Sequence, residues 1–410
     1  GLEKKVFHAH LWGSRIEKYQ QCVDNSIDTI DWKELKPKSP YYFFIPRANG
    51  TSENYRKWWS VAEIFKEFSL GLMTGNDKRT IYFEKDELVK TLNFIKVNDK
   101  QTIKEAFKIN KEIVTWKIEN VKKDISQNYK NDDRIEKVHY RLFDKRYTFF
   151  SNKCAGFISR GRTINKQMLH DNIALLLPRQ ISRKTFQHVF CTDTITEMCC
   201  FSTETKGANQ LFPLYLYYQD IKNGEQITSR EPNFTSHFTD FINKKYPKTY
   251  QPEQIFGYIY AILHSQTYRE KYFDDLKIDF ARIPFIKNEN KFVVLSGLGN
   301  SLVQAHLLRD IPDKKIGNFI GNDNNKVEKV SYNKKANQIF INKTQFFNTV
   351  SPEIFAFKIG GYQPIYKYLK SRKDRVLSRE EQETVENIIK VIDFTIKIMA
   401  DIDNVVNEWI

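Results

Sequence analysis

Cysteine is sparse in this chain. Its 410 residues include five, at Cys22, Cys154, Cys191, Cys199 and Cys200, and no two are spaced C-x-x-C. An odd, scattered set supports neither a disulfide framework nor a zinc ribbon, and it suits a reducing cytoplasm. Long apolar runs are also missing. No stretch approaches the roughly 20 residues of a membrane helix, and no segment has the pattern of a signal peptide. There is no Walker-type lysine loop, so P-loop nucleotide hydrolysis has no support. The Pro312-Asp313 pair has no E-x-K downstream, so a restriction-type nuclease core is unsupported. His8 and His10 share a strand face without a third ligand nearby, and Cys199-Cys200 fits strand packing better than redox chemistry. No self-contained active site emerges.

What the chain has in excess is positive charge and aromatic rings. Lys and Arg total 65 against 50 Asp and Glu, a net charge of +15, with 31 Phe and 21 Tyr. The cations are spread along the chain rather than gathered in a tail. A folded protein so charged attracts polyanions, most simply nucleic acid; the alternative is a lysine-rich compositional bias. The length predicts two or three domains, and 40% hydrophobic residues suffice for their cores. The chain opens on Gly1-Leu2 and enters an apolar strand almost at once, so it is expected to be a segment of a longer polypeptide.

The pattern along the chain predicts an α+β fold: short strands in mixed sheets, flanking helices and a long C-terminal helix. Val6–Trp12 and Tyr41–Ile45 have strand character, and Ser14–Val23 is a short polar helix. Leu70–Met73 and Thr80–Phe83 look like strands around a turn. Asp86–Phe94 and Ile103–Asn128 are expected as charged helices, the second anchored by Trp116. Residues 128–134 are polar and aperiodic, the best candidate boundary, dividing the chain into 1–130 and 131–410. Beyond it, Val138–Leu142, Tyr147–Phe150, Phe157–Ser159, Ile173–Leu177, His188–Thr192 and Leu211–Tyr218 are short apolar runs typical of strands. Ile221–Asn233 is expected as a loop. Helices return at Phe234–Lys245 and Glu253–Tyr272, where Pro252 takes the favoured first-turn position. In the last helix Ser378 and Glu381 form a capping-box pair. Val385, Ile388, Ile389, Ile392, Ile396 and Met399 then follow at helical spacing.

Two segments imitate known chemistry. Adenine-specific DNA methyltransferases use [DNS]-P-P-[YFW], whose polar and aromatic residues hold a flipped base. Ser39-Pro40-Tyr41-Tyr42 lacks the second proline and opens a strand instead of following one. Phe292–Leu307 carries Gly297 and Gly299 after an apolar run, like a nucleotide or S-adenosylmethionine loop. No second strand ending in an acid follows, and a helix with glycines at close-packing positions fits better. Two basic regions are more promising. Lys358–Ser378 joins a Gly360-Gly361 turn, three tyrosines and a cluster that includes Lys370 and Arg372; it suits either a phosphate-facing surface or a solvated helix face. Between Arg141 and His188, cations stand at strand ends and in loops: Arg141, Arg146, Arg160, Arg162, Arg179, Arg183 and Lys184. Arginine there can reach phosphate or guanine, and Gln180 can read adenine. The Pro178–Gln187 loop is the densest such mixture, and Thr203–Asn209 is a second candidate reading edge.

These residues carry a resemblance. Phe7-His8-Ala9-His10-Leu11-Trp12-Gly13, Tyr140-Arg141-Leu142-Phe143-Asp144 with Arg146-Tyr147, Leu211-Phe212-Pro213-Leu214-Tyr215, Ile259-Tyr260-Ala261-Ile262-Leu263-His264-Ser265, Arg282-Ile283-Pro284 and Ile359-Gly360-Gly361-Tyr362-Gln363 recur together. In combination the chain resembles the C-terminal part of Type ISP restriction-modification enzymes and related adenine-specific DNA methyltransferases. The resemblance implies a parent ordered as nuclease, ATP-driven motor, methyltransferase and target-recognition domain. Residues 1–130 would then close the methyltransferase domain and connect onward, and 131–410 would be the specificity domain, scaffolded by the C-terminal helix. It implies double-stranded DNA as partner, the upstream methyltransferase domain as neighbour, no membrane, and a bacterial cytoplasmic setting. It also implies no cofactor in this segment, S-adenosylmethionine belonging to the upstream domain. The expected DNA-facing residues are Arg141, Arg146, Arg160, Arg162, Arg179, Gln180, Arg183, Lys184, Lys370 and Arg372. An interdomain docking role with incidental DNA affinity is the competing expectation. Leu142, Gly161, Pro364 and Tyr368 stand where the family usually has Pro, Pro, Val and Trp, the mark of a divergent member.

Overall fold

Every residue from Ile255 to His264 is buried in the Pro252–His264 helix. A helix apolar all round belongs inside a protein. It lies against the Glu289–His306 helix at a glycine contact: a Cβ on Gly299 would sit 1.8 Å from the Gly257 carbonyl oxygen. Gly299 therefore serves close helix packing, and the run that imitates a cofactor loop is helix interior. Pro252 occupies the first turn as expected, but the helix stops at His264, where Ser265 caps a separate Gln266–Lys271 helix.

The computed structural model describes residues 4–37, 39, 42–46, 53–130, 132–182, 185–202, 207–222 and 225–409. They form two compact units, Gly1–Arg56 and Lys57–Ile410. In the first, Val6–His8 pairs antiparallel with Lys33–Leu35. Arg15–Asp24 is a helix whose capping box joins Ser14 and Glu17. Residues 42–46 form no strand, contrary to expectation, and Tyr41 lies outside the described residues.

The second unit holds several small sheets, as an α+β fold requires. One has the order Ser69–Leu70, Asn209–Pro213, Ala174–Pro178, Phe190–Thr192, all antiparallel. Its apolar strand Ala174–Pro178 is buried throughout. Another sets Ile135–Arg141 between antiparallel Asp144–Phe149 and parallel Ile195–Thr196. Elsewhere the expectations need correction. The segment expected as one helix from Ile103 is two, Lys100–Ala106 and Ile118–Asn128. Between them the chain turns back at Ile113 and Trp116, and the Trp116 indole N–H donates to the Phe157 carbonyl at 3.1 Å. The expected turn between Leu70–Met73 and Thr80–Phe83 holds a short helix, Asp77–Thr80, and the second expected strand is reduced to a bridge from Tyr82 to Tyr147. Phe157–Ser159 lies outside any strand. The expected loop after Ile221 contains the strand Glu225–Pro232, paired with Tyr215–Lys222.

The last helix, Arg379–Val406, begins where its capping box predicts: Glu381 N–H donates to Ser378 Oγ at 3.1 Å and Ser378 N–H to Glu381 Oε2 at 3.0 Å. Val385, Ile388, Ile389 and Ile392 on its apolar face are buried. Among the described residues, no helix is long and apolar enough to cross a membrane.

Candidate nucleic-acid interface

Three arginines lie inside, Arg141 and Arg146 on the hairpin of Ile135–Arg141 and Asp144–Phe149 and Arg372 just beyond the Pro364–Lys370 helix. Arg141, Arg146 and Arg372 are 7%, 8% and 4% exposed. Buried charge persists only where it is paired. Arg141 donates to Glu197 Oε2 at 2.7 Å, and its guanidinium lies 3.9 Å from the Tyr140 ring centre. Arg146 donates through Nη2 to Asp144 Oδ2 at 2.6 Å and lies over Phe83. Arg372 donates through Nη2 to Asp144 Oδ1 at 3.1 Å and through Nε to Glu381 Oε1 at 2.7 Å, with its guanidinium over Tyr368. Each Asp144 oxygen thus has its own arginine. Burial raises the Asp144 carboxyl, but Arg372 and Arg146 outweigh it and hold the group below its ordinary range. Three of the expected DNA-facing residues therefore lie in the interior: Arg372 joins the hairpin to the start of the last helix, Arg146 shares Asp144 with it, and Arg141 ties the hairpin to Glu197.

A different environment surrounds Arg160 and Arg162. A cleft of 580 Å³ opens between Lys66–Ser69 on one side and residues 152–167 on the other. The Arg160 backbone is fixed by reciprocal hydrogen bonds with Met73, at 3.0 and 2.9 Å. Arg162 precedes the 3-10 helix Thr163–Leu169 and has φ +61°. This left-handed conformation is uncommon for a residue with a Cβ. Asn165 steadies the turn, donating to the Gly161 carbonyl at 3.2 Å and accepting from the Thr196 N–H at 3.1 Å. The Arg160 and Arg162 side chains have no acid partner among the described residues. Arg162 Nε is buried without a hydrogen bond, as is Asn152 Oδ1 on the same cleft. From the opposite wall, the Lys66 ammonium approaches the Tyr218 hydroxyl at 3.5 Å.

The remaining candidates are dispersed. Arg179 is exposed and donates to Asp279 at 2.9 Å, while Gln180 donates to the Ile278 carbonyl at 2.9 Å. These bonds tie the start of the expected reading loop to the 278–279 segment. Arg183 and Lys184 lie outside the described residues, as do residues 203–206 of the second candidate loop. Lys370 is exposed near the end of the Pro364–Lys370 helix and packs over Tyr366. The Gly360-Gly361 turn has a definite role. Gly360 N–H donates to the Gln187 carbonyl at 2.7 Å and Gly361 N–H to the Phe201 carbonyl at 3.1 Å. Gly360 has φ +59°, and a Cβ there would meet Phe201 Cβ at 2.6 Å. The turn thus holds the near ends of both expected reading loops. Sequence reasoning missed Lys66, Asn152 and Gln167 on the cleft; no local motif marks them, because they come together only through the fold.

A family model described as Type ISP C-terminal specificity domain matches residues 63–401. Among solved structures, the chain is similar to the ATP-dependent Type ISP restriction-modification enzyme LlaBIII bound to DNA, with TM-score 0.72 and 17% identity over 98% of this chain and 28% of that one. A nuclease-deletion mutant of the Type ISP enzyme LlaGI, in complex with a DNA substrate mimic, matches with TM-score 0.64 and 19% identity over 95% of this chain and 32% of that one. The DrdV–DNA complex solved by cryo-electron microscopy matches with TM-score 0.67 and 19% identity, over 96% and 42%. The chain thus spans well under half the length of the enzymes it resembles, and at these identities the likeness is one of fold. No curated protein sequence matches it.

Proposed function

The chain belongs to the Type ISP C-terminal specificity domain family, and from that membership we propose that its Lys57–Ile410 unit reads target sequence in double-stranded DNA for a restriction-modification adenine methyltransferase. The observation that carries the reading is the cleft rimmed by Arg160, Arg162 and Lys66, cations with no acid partner among the described residues. In a chain of net charge +15, unpaired cations on a fixed backbone suit phosphate and base contacts. Exposed Lys370, away from the cleft, would add a separate phosphate contact in this reading, whereas Arg179 is already paired with Asp279. Arg141, Arg146 and Arg372 instead hold the scaffold. In the longer enzyme, the module would orient the duplex so that an adenine turns out into a catalytic domain upstream, where S-adenosylmethionine would bind.

The other unit supports a second role. In Gly1–Arg56 the Arg15–Asp24 helix buries no residue. Trp12, Ile16, Val23 and Ile27 are 74%, 81%, 78% and 78% exposed. So much open apolar surface in a small unit favours attachment to another protein body, here the methyltransferase domain. Salt titration separates DNA reading from docking with incidental affinity. Equilibrium binding to a duplex should weaken with salt at a slope near −0.9 per phosphate engaged. A flat response would leave docking as the function.

A further inference from the structure

The hairpin of Tyr215–Lys222 and Glu225–Pro232 forms a sheet of its own, eight residue pairs long. At about 3.4 Å per residue it extends roughly 27 Å. An isolated hairpin is marginal in water, but the root of this one is anchored. Asn172 donates to the Tyr215 carbonyl at 2.9 Å and accepts from the Tyr215 N–H at 3.1 Å. The Tyr217 N–H donates to Gln167 Oε1 at 2.7 Å, and the His170 ring stacks on the Tyr217 ring at 4.4 Å. Gln167 also lines the cleft that holds Arg160, Lys66 and the Glu67 carboxylate, so the ribbon is rooted on a wall of that cleft.

The two faces of the ribbon differ. Directly opposite residues share a face, and the register pairs Tyr217 with Arg230 and Gln219 with Thr228. Gln219 and Thr228 are exposed, and their side chains make no hydrogen bond among the described residues. Arg230 is exposed too, with its guanidinium 4.2 Å from the Tyr215 ring centre and beside the Tyr217 hydroxyl. Glu253, whose charge acts on Arg230, is engaged by the Tyr215 hydroxyl at 2.6 Å and forms no ion pair with the guanidinium. The acids of the hairpin, Asp220, Glu225 and Glu231, fall at the alternate register positions. The face with Gln219 and Arg230 thus has no acidic position.

These residue types distinguish bases. Glutamine takes the adenine edge with two hydrogen bonds, arginine takes the guanine edge, and threonine meets the thymine methyl. The major groove, about 12 Å wide, admits a two-stranded ribbon. Gln219 and Arg230 are diagonal neighbours, a relation that spans about 7 Å across a ribbon. Two base-pair steps of about 3.4 Å cover the same distance.

We propose that this ribbon lies in the major groove of the bound duplex, with Gln219 and Arg230 reading two bases about two steps apart and Thr228 packing beside Gln219. The proposal rests on the DNA-reading function above and adds the element and the residues that discriminate.

The test is selection from a library of randomised duplexes with the 410-residue chain, read by sequencing, together with salt titration of each variant. Gln219→Ala should reduce preference at one enriched position about tenfold and leave the others intact. Arg230→Lys retains the charge but loses the planar fork. It should reduce preference about tenfold at a second position, about two steps from the first, with an unchanged salt slope. Glu231→Gln, at an alternate register position, should enrich the wild-type motif. If Gln219→Ala and Arg230→Lys also enrich the wild-type motif unchanged, the ribbon reads no base and the proposal is overturned while DNA recognition stands. Losses spread evenly over every position would overturn it as well, because they mark a ribbon that only supports other readers. If wild type binds no duplex at all, the function and the ribbon's role fall together.

Discussion

The arginines around Asp144 and those on the cleft are one residue type in two opposite situations. Arg146 and Arg372 each hold an oxygen of a carboxylate that is 1% exposed. Arg160 and Arg162 hold no acid at all among the described residues. Arginine donates five N–H groups and never loses its charge in a protein. Its role is therefore decided by whether the fold supplies an acceptor. Where it does, the cation is scaffold; where it does not, the cation is open to a polyanion. The density of basic residues along a sequence cannot make that distinction.

Breaking the interior should be the most damaging change. Arg372→Met leaves one Asp144 oxygen and Glu381 without their cation and should destabilise the unit by about 3–5 kcal/mol, measured by urea unfolding. Gly299→Ala forces apart two helices in contact at a carbonyl and should cost about 2 kcal/mol in the same assay. A loss below a few tenths would mean that the helix contact relaxes freely.

Acid should affect the interior and spare the cleft. Burial and Lys145 push His139 down to about 3, and burial and Arg269 push His306 down to about 3. Their ordinary value is 6.5, so below that pH the unfolded chain takes up protons that the folded one refuses. Stability is then complete above 6.5 and declines as pH falls toward 3. The loss between pH 7.5 and 5.5 should be about 1.4 kcal/mol per histidine, read from urea midpoints. Burial raises Glu197 to about 7, which offsets part of this loss over the same range, so imidazole titration followed by NMR is the deciding readout: protonation of His139 or His306 near 6.5 in the folded protein would contradict the buried neutral state. The smallest effect on stability belongs to Arg160→Gln, within about 0.5 kcal/mol, because it breaks no partnership; thermal unfolding tests it.

Much of the scaffold was legible in the sequence because its signals are local. Ser378 and Glu381 stand three residues apart and form the cap of the last helix. Pro252 starts its helix, and Gly299 sits where helices touch. The hairpin that includes Glu225–Pro232 was also within reach, since Asn223-Gly224 is a dipeptide that favours tight hairpin turns. Its polar strand lacks apolar alternation, and the segment therefore looked like a loop. The duties of the arginines were not legible. Arg372 meets Asp144 across 228 residues of chain, and Arg141 meets Glu197 across 56. Lys66 reaches the cleft from a segment far from Arg160 in sequence, so no spacing rule joins them.

The division between scaffold and interface is tested most directly by arginine-selective modification, with and without duplex DNA, mapped by mass spectrometry. Arg160 and Arg162 should react in the free protein and be protected by DNA, while Arg141, Arg146 and Arg372 stay inert in both states. Equal reactivity of Arg160 and Arg162 with and without bound DNA, or DNA-dependent protection at Arg372, would contradict it.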